Sequence, residues 1–100
     1  MSVNQVSVFL ENKPGTLTKL TSVVAKNNVN IRALSLADSS EFGIVRMLVN
    51  DVYEATNILK EESFVASVTP VLVYKISDET GSLNKLLQTF SDSEINVEYM

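Results

Sequence analysis

The chain has 100 residues, 45% of them hydrophobic and 20% charged, with a formal net charge of −4. One ordinary domain fits this length, with no second core to spare. The acidic balance argues against a nucleic-acid or anionic-membrane surface, since either calls for clustered Lys and Arg. Cys and His are both absent, which removes disulfides, thiolate and imidazole metal sites, Cys or His nucleophiles and the usual proton shuttle. Residues 1–5 show no basic stretch leading into an apolar core, and no apolar run approaches the roughly 18–20 residues that span a bilayer. The expectation is a cytoplasmic protein that is not an enzyme and holds no metal or cofactor.

Val6, Val8 and Leu10 alternate with Ser7 and Phe9, the pattern of a strand. It runs into Glu11-Asn12-Lys13-Pro14-Gly15, a turn by composition. Over residues 16–27, Leu17, Leu20, Val23 and Val24 recur at helical spacing, with Thr18, Lys19, Ser22 and Lys26 outside, and Asn27-Asn28 closes the helix. Residues 31–37 read as a second strand, Asp38-Ser39-Ser40-Glu41 as a polar turn, and residues 42–49 as a third strand. Asp51 and Glu54 have capping-box spacing ahead of the stripe Val52, Ala55, Ile58 and Leu59. Residues 64–69 complete the order βαββαβ. This is an α+β sandwich of two helices on one antiparallel sheet, the ferredoxin-like arrangement with strand order 4-1-3-2. In the third strand Val45, Met47 and Val49 can face the helices, which turns Ile44 and Leu48 to the opposite face beside Phe9. A sheet apolar on both sides is expected to be covered by a second domain or subunit.

After Pro70 the pattern begins again. Residues 72–81 superimpose on residues 6–15 at a shift of 66 positions, and the match continues without a gap to the end of the chain. Gly15 pairs with Gly81, Leu17 with Leu83, Lys19 with Lys85, Leu20 with Leu86 and Asn30 with Asn96. A shared βαβ scaffold accounts for the apolar matches but not for Gly and Asn at equal offsets, so duplication is the better account. The division expected is a βαββαβ unit over residues 1–70 and a partial second βαβ repeat over 71–100, with strands at 72–76 and from about Asn96. The first two strands of such a unit are not neighbours, because the third lies between them. The half-repeat therefore reads as a truncated form of a longer protein, or as one whose missing strand another chain supplies.

A strand–turn–helix with Gly at the helix entrance leaves the first helical N–H groups without partners and suits a carboxylate. Asn12 adds amide donors and an acceptor, and Gly15 lets a ligand approach the backbone closely. Asn30 lies near the other end of the same helix, so one ligand could meet both only across an interface between units. The competing reading of Pro-Gly and Asn is turn geometry alone.

Residues 8–17 (Val-Phe-Leu-Glu-Asn-Lys-Pro-Gly-Thr-Leu), followed by Asn28-Val29-Asn30-Ile31, resemble the ACT domain, a βαββαβ module that binds amino acids and other small effectors. Residues 35–43 and the repeat ending in residues 95–100 narrow the resemblance to small stand-alone tandem ACT proteins without an enzyme domain. The resemblance implies a ligand at the interface between two units, held by the strand–helix turn and closed by the second strand of the neighbour. By position the turn is Leu10, Glu11, Asn12, Pro14, Gly15, Thr16 and Leu17, with Asn30 on the strand. The second turn is Ser77, Asp78, Thr80, Gly81, Ser82 and Leu83, with Asn96 on its strand. Asp78 in place of an amide repels a ligand carboxylate, which ranks the first turn above the second. Leu10 leans towards a less polar or branched ligand side chain.

The resemblance thus implies a regulatory amino-acid-binding protein, a homodimer, with a partner enzyme of amino-acid metabolism. The alternative is a structural or regulatory subunit that docks an enzyme through its sheet without a ligand. A small enzyme on the same scaffold is disfavoured by the missing His and Cys, and RNA binding by the charge and by Phe9 standing almost alone. Lys13 beside Glu11 reads as a solvated pair. Arg46, among apolar neighbours, is the charge to watch: it either pairs with an acidic group across an interface or stays solvated.

Overall fold

The computed structural model describes residues 2–38 and 41–100, so Ser39 and Ser40 of the expected polar turn lie outside the described residues. The elements are β1 (Ser2–Glu11), α1 (Thr16–Lys26), β2 (Ile31–Asp38), β3 (Phe42–Val49), α2 (Val52–Glu61), β4 (Val65–Leu72) and α3 (Ser82–Asp92). The four strands form one antiparallel sheet in the order β2-β3-β1-β4. This is the ferredoxin-like order read from the other edge, with a third helix following it.

Alternation in β1 sends Val6, Val8 and Leu10 inward, and β3 answers with Val45, Met47 and Val49. The register pairs Val6 with Met47 and Val8 with Val45, so these side chains share one face of the sheet. Leu20, Val23 and Val24 of α1 and Ala55, Ile58 and Leu59 of α2 close over them. Burying each of the Val, Leu, Ile and Met side chains among them is worth about 1.5–3 kcal/mol. All buried apolar residues belong to the first 59 positions, and α3 contributes none.

The three helices end alike. Asn28, Ser63 and Glu94 take positive φ of 58°, 66° and 58°. Beyond α1, Val29 N–H donates to Val24 O (3.1 Å) and Asn28 N–H to Ala25 O (3.1 Å). Beyond α3, Ile95 N–H donates to Phe90 O (2.8 Å) and Glu94 N–H to Ser91 O (3.0 Å). These are Schellman closures, each with an apolar residue following the left-handed one. Those of α1 and α3 fall at positions 66 apart, so the repeat seen in the sequence recurs in the backbone.

Three expectations are corrected. β1 starts at Ser2, because residues 2–5 pair with Leu72, Val71, Pro70 and Thr69 of β4 rather than showing apolar alternation. β4 therefore runs through Pro70, and Leu72 ends the first sheet instead of opening a new strand. Residues 73–77 and 95–100 enter no strand. The physical reason is topological: first and second strands of this fold need a third between them, and none of the described residues fills that place.

Candidate functional site

The β1–α1 turn is held by its own backbone and one hydroxyl. Asn12 N–H donates to Glu41 O (2.9 Å) ahead of β3, and Lys13 N–H donates to Glu11 O (3.0 Å). The Thr16 hydroxyl lies within donating distance of both Glu11 O (2.9 Å) and Lys13 O (3.0 Å). Gly15 precedes α1 at φ 89°, ψ −13°, a left-handed position that costs an L side chain about 1–2 kcal/mol. A glycine there offers no capping side chain, so the first N–H groups of α1 are left to other acceptors. Asp51 by contrast caps α2, accepting from Glu54 N–H at 3.0 Å.

The second turn repeats this geometry. Gly81 has φ 89°, ψ −4°. Lys85 N–H reaches Gly81 O at 3.0 Å, as Lys19 N–H reaches Gly15 O at 3.0 Å. The hydroxyl of Ser82 meets that of Ser77 at 2.8 Å, where Thr16 uses the carbonyl of Glu11.

Because β1 ends between the starts of β3 and β4, the first turn opens onto a groove of ≈ 600 Å³. Leu10, Glu11, Pro14, Gly15 and Thr16 line it, together with Lys13, Lys19, Phe9, Phe42 and residues 63–65. Glu11 and Lys13 form an ion pair of 3.0 Å whose side chains are well exposed, worth under about 1 kcal/mol. Lys19 extends over the ring of Phe64, 5.6 Å from its centroid.

A second groove of ≈ 660 Å³ lies between the outer face of the sheet and residues 95–100, with Leu83, Leu86, Leu87 and Phe90 of α3 on its wall. Here Arg46 pairs with no carboxylate among the described residues; its guanidinium lies over the ring of Tyr99, 3.9 Å from the centroid. Gln5 Nε2 donates to the Tyr99 hydroxyl at 3.1 Å, and Phe90 meets Tyr74 edge-on at 5.4 Å. The chain's own C-terminal segment thus covers part of the outer face. The rest stays open, with Phe9 48% and Phe42 55% exposed.

Over residues 1–100 the sequence matches the family described as the ACT domain pair. The chain belongs to that family. Among solved structures it is similar to protein BT0572 from Bacteroides thetaiotaomicron, at 39% identity and a TM-score of 0.94 over 99% of this chain and 69% of that one. The ACT domain of prephenate dehydrogenase from Bacillus anthracis shares the fold at 24% identity and a TM-score of 0.55, over 63% of this chain and 99% of that one. So does the ligand-free regulatory subunit of aspartate kinase from Thermus thermophilus, at 11% identity and a TM-score of 0.69, over 99% of this chain and 78% of that one. No curated protein sequence matches significantly.

Within this ACT pair the expected site residues are distributed unevenly. Five of the seven in the first turn line one groove, whereas Asn12 and Leu17 belong to the turn without lining it. Asn30 lies beyond the far end of α1, its N–H bonded to Asn50 Oδ1 (2.9 Å) and its carbonyl to Asn50 N–H (3.1 Å). Asp78, Gly81 and Ser82 line neither groove, and Asn96 lines the second. Sequence reading missed Lys19, Phe42 and Phe64 as groove residues. Phe42 and Phe64 share one signal, position, since they open the segments that flank the end of β1, whereas Lys19 stands one turn into α1. Among the described residues no cluster of three acidic, His or Cys side chains could hold a metal, and no helix is long and apolar enough to cross a membrane.

Proposed function

We propose that this ACT pair is a non-catalytic regulatory protein whose effector is an amino acid. The effector is held by the β1–α1 turn at an interface between ACT units, with Leu10, Glu11, Asn12, Pro14, Gly15, Thr16 and Leu17 on one side and Asn30 of a neighbouring unit closing it. Asp78, Gly81, Ser82 and Asn96 form the counterpart in the partial repeat over residues 71–100, set off from the unit at 1–70. The protein works in the cytoplasm as a homodimer, and an enzyme of amino-acid metabolism is its regulated partner. The observation that carries this reading is the turn itself. Gly15 leaves the helix entrance without a side-chain cap, the Thr16 hydroxyl fixes the loop, and both open onto one groove. Backbone donors held in that way suit a carboxylate, and a ligand that binds one arrangement of units better than another shifts the balance between them.

Thermal unfolding of the full chain against the twenty amino acids at millimolar concentration tests it. Ligand at 100 times its dissociation constant stabilises by about 2.7 kcal/mol, several degrees in midpoint for a domain of this size. A selective shift, lost in Thr16→Val, is the expected result. No shift from a folded sample overturns the reading in favour of a ligand-free subunit that docks its partner through the outer sheet face, where Phe9 and Phe42 are exposed.

A further inference from the structure

We infer that the half-repeat over residues 72–100 is completed by the same half-repeat of a second copy, the two forming one four-stranded unit about a twofold axis. This rests on the homodimer proposed above, names its surface, and is independent of the effector. The first unit shows how such halves mate. It consists of two strand–helix–strand halves, β1-α1-β2 and β3-α2-β4. In the order β2-β3-β1-β4 the second strand of each half pairs with the first strand of the other. The two first strands, β1 and β3, lie antiparallel at the centre, so an approximate twofold rotation exchanges the halves. Both helices close alike, Val29 N–H on Val24 O and Phe64 N–H on Leu59 O, and α3 repeats the closure with Ile95 N–H on Phe90 O. The chain thus carries three such halves by sequence and helix geometry. Two are mated and the third is single.

The single half is open where its mate would lie. Tyr74 and Ile76 stand 66 positions after Val8 and Leu10, and are 48% and 44% exposed where those are 0% and 6%. The groove of ≈ 660 Å³ is bordered by residues 72–74, by Leu83, Leu86 and Phe90 of α3, and by residues 95–100. These are the counterparts of β1, α1 and β2, the elements between which β3 sits in the first unit. A mate must itself be a strand–helix–strand half with alternating apolar residues, and residues 72–100 of a second copy are one. Its residues 72–77 enter between this copy's 72–77 and 95–100, and the two α3 helices lie side by side over the new sheet. Each copy gives what the other lacks, so the contact is isologous and closes at two. The charges agree. Lys75 is the one charged residue in 72–77 and Glu98 the one in 95–100, and each 72–77 segment adjoins the other copy's 95–100.

The test joins sedimentation equilibrium of the full chain and its Ile76→Asp variant to disulfide formation in single-cysteine variants of a chain that has no cysteine. Inward residues oppose inward residues only when the axis passes through a residue, and the greatest overlap of 72–77 with itself places it at Tyr74 or Lys75. Residues directly opposite have Cβ atoms about 4.5–5.5 Å apart, close enough for a small strand movement to bridge them. The parent should therefore sediment as two copies. Either Tyr74→Cys or Lys75→Cys should give a disulfide-linked dimer on mild oxidation, and Lys60→Cys on exposed α2 should not. Ile76→Asp sets a carboxylate in an apolar face and should weaken dimerisation about tenfold or more. Ile76 lies outside the core cluster, so the main unfolding transition of that variant should match the parent's. A dimer that Ile76→Asp leaves within twofold of the parent overturns this inference and leaves a homodimer through another surface. So does a dimer in which neither Tyr74→Cys nor Lys75→Cys crosslinks, or a mass that climbs past two copies. A monomer at every concentration overturns both this inference and the homodimer.

Discussion

The guanidinium of Arg46 lies over the ring of Tyr99, 3.9 Å from its centroid, although the two residues stand 53 positions apart in the sequence. Arg46 stands on the outer face of β3, level with Ser7 of β1, and Tyr99 comes from a segment that belongs to no strand. Gln5 holds the same tyrosine by its hydroxyl at 3.1 Å. Two side chains of the first unit thus fasten the last residues of the chain to the outer sheet face.

That fastening predicts a local effect. A partly buried cation–π contact is worth about 0.5–2 kcal/mol, and a neutral hydrogen bond about 1 kcal/mol. Tyr99→Ala should therefore speed amide exchange over residues 95–100 and open them to proteolysis, with the main unfolding transition moved little. Tyr99→Phe keeps the ring and should show most of the protection. Equal exchange in the parent and Tyr99→Ala would show that the segment is held by its apolar neighbours instead.

How much could be read from the chain follows from the range of each interaction. Alternation in β1 and β3, the stripes of α1 and α2, and the Gly15 turn are local patterns, and all recur in the structure. The repeat was legible as a shift of 66 positions, and the structure adds that Asn28 and Glu94 share one backbone conformation. What was not legible depends on partners far along the chain. Residues 2–5 join β1 only because β4 lies beside them. Residues 73–77 carry strand-like alternation yet form none, since a strand needs a neighbour as well as a pattern. Phe42 and Phe64 border one groove, from opposite faces of the sheet, because β3 and β4 begin on either side of the end of β1.

Gly15 and Gly81 share φ 89°, and an added Cβ at either would meet nothing within 4 Å. The cost of a side chain is then conformational alone, about 1–2 kcal/mol. Gly15→Ala should lower the stability of the main transition by about that amount, and Gly15→Asn by less, because Asn visits the left-handed region more readily. Urea unfolding followed by circular dichroism measures both. A neutral Gly15→Ala would mean that the turn relaxes to another conformation.

Asp51 closes the start of α2 through one side-chain acceptor at 3.0 Å from Glu54 N–H. Asp51→Ala removes it and should cost about 1 kcal/mol, while Asp51→Ser or Asp51→Asn should cost a few tenths. Because Ala55, Ile58 and Leu59 of that helix are core residues, the loss should appear in global unfolding rather than as local fraying. A change confined to amide exchange in residues 52–55 would contradict this.

Leu20 and Leu86 occupy equivalent positions 66 apart, on α1 and α3, and their surroundings differ. Leu20 is fully buried in the core between β1, β3 and α2. Leu86 is half-buried on the wall of the second groove, on a helix with no buried residue. Truncating a buried leucine removes its transfer energy and leaves a cavity, about 2–5 kcal/mol together, whereas a half-buried one can be rehydrated at a fraction of that. Leu20→Ala should therefore cost about 3 kcal/mol in global stability and Leu86→Ala about 1 kcal/mol or less. Equal losses from the two substitutions would mean that α3 is packed in solution as tightly as α1, against a surface that a second subunit or a further segment provides. A sample in which Leu86→Ala alone weakens self-association in light scattering would identify that surface as a second copy.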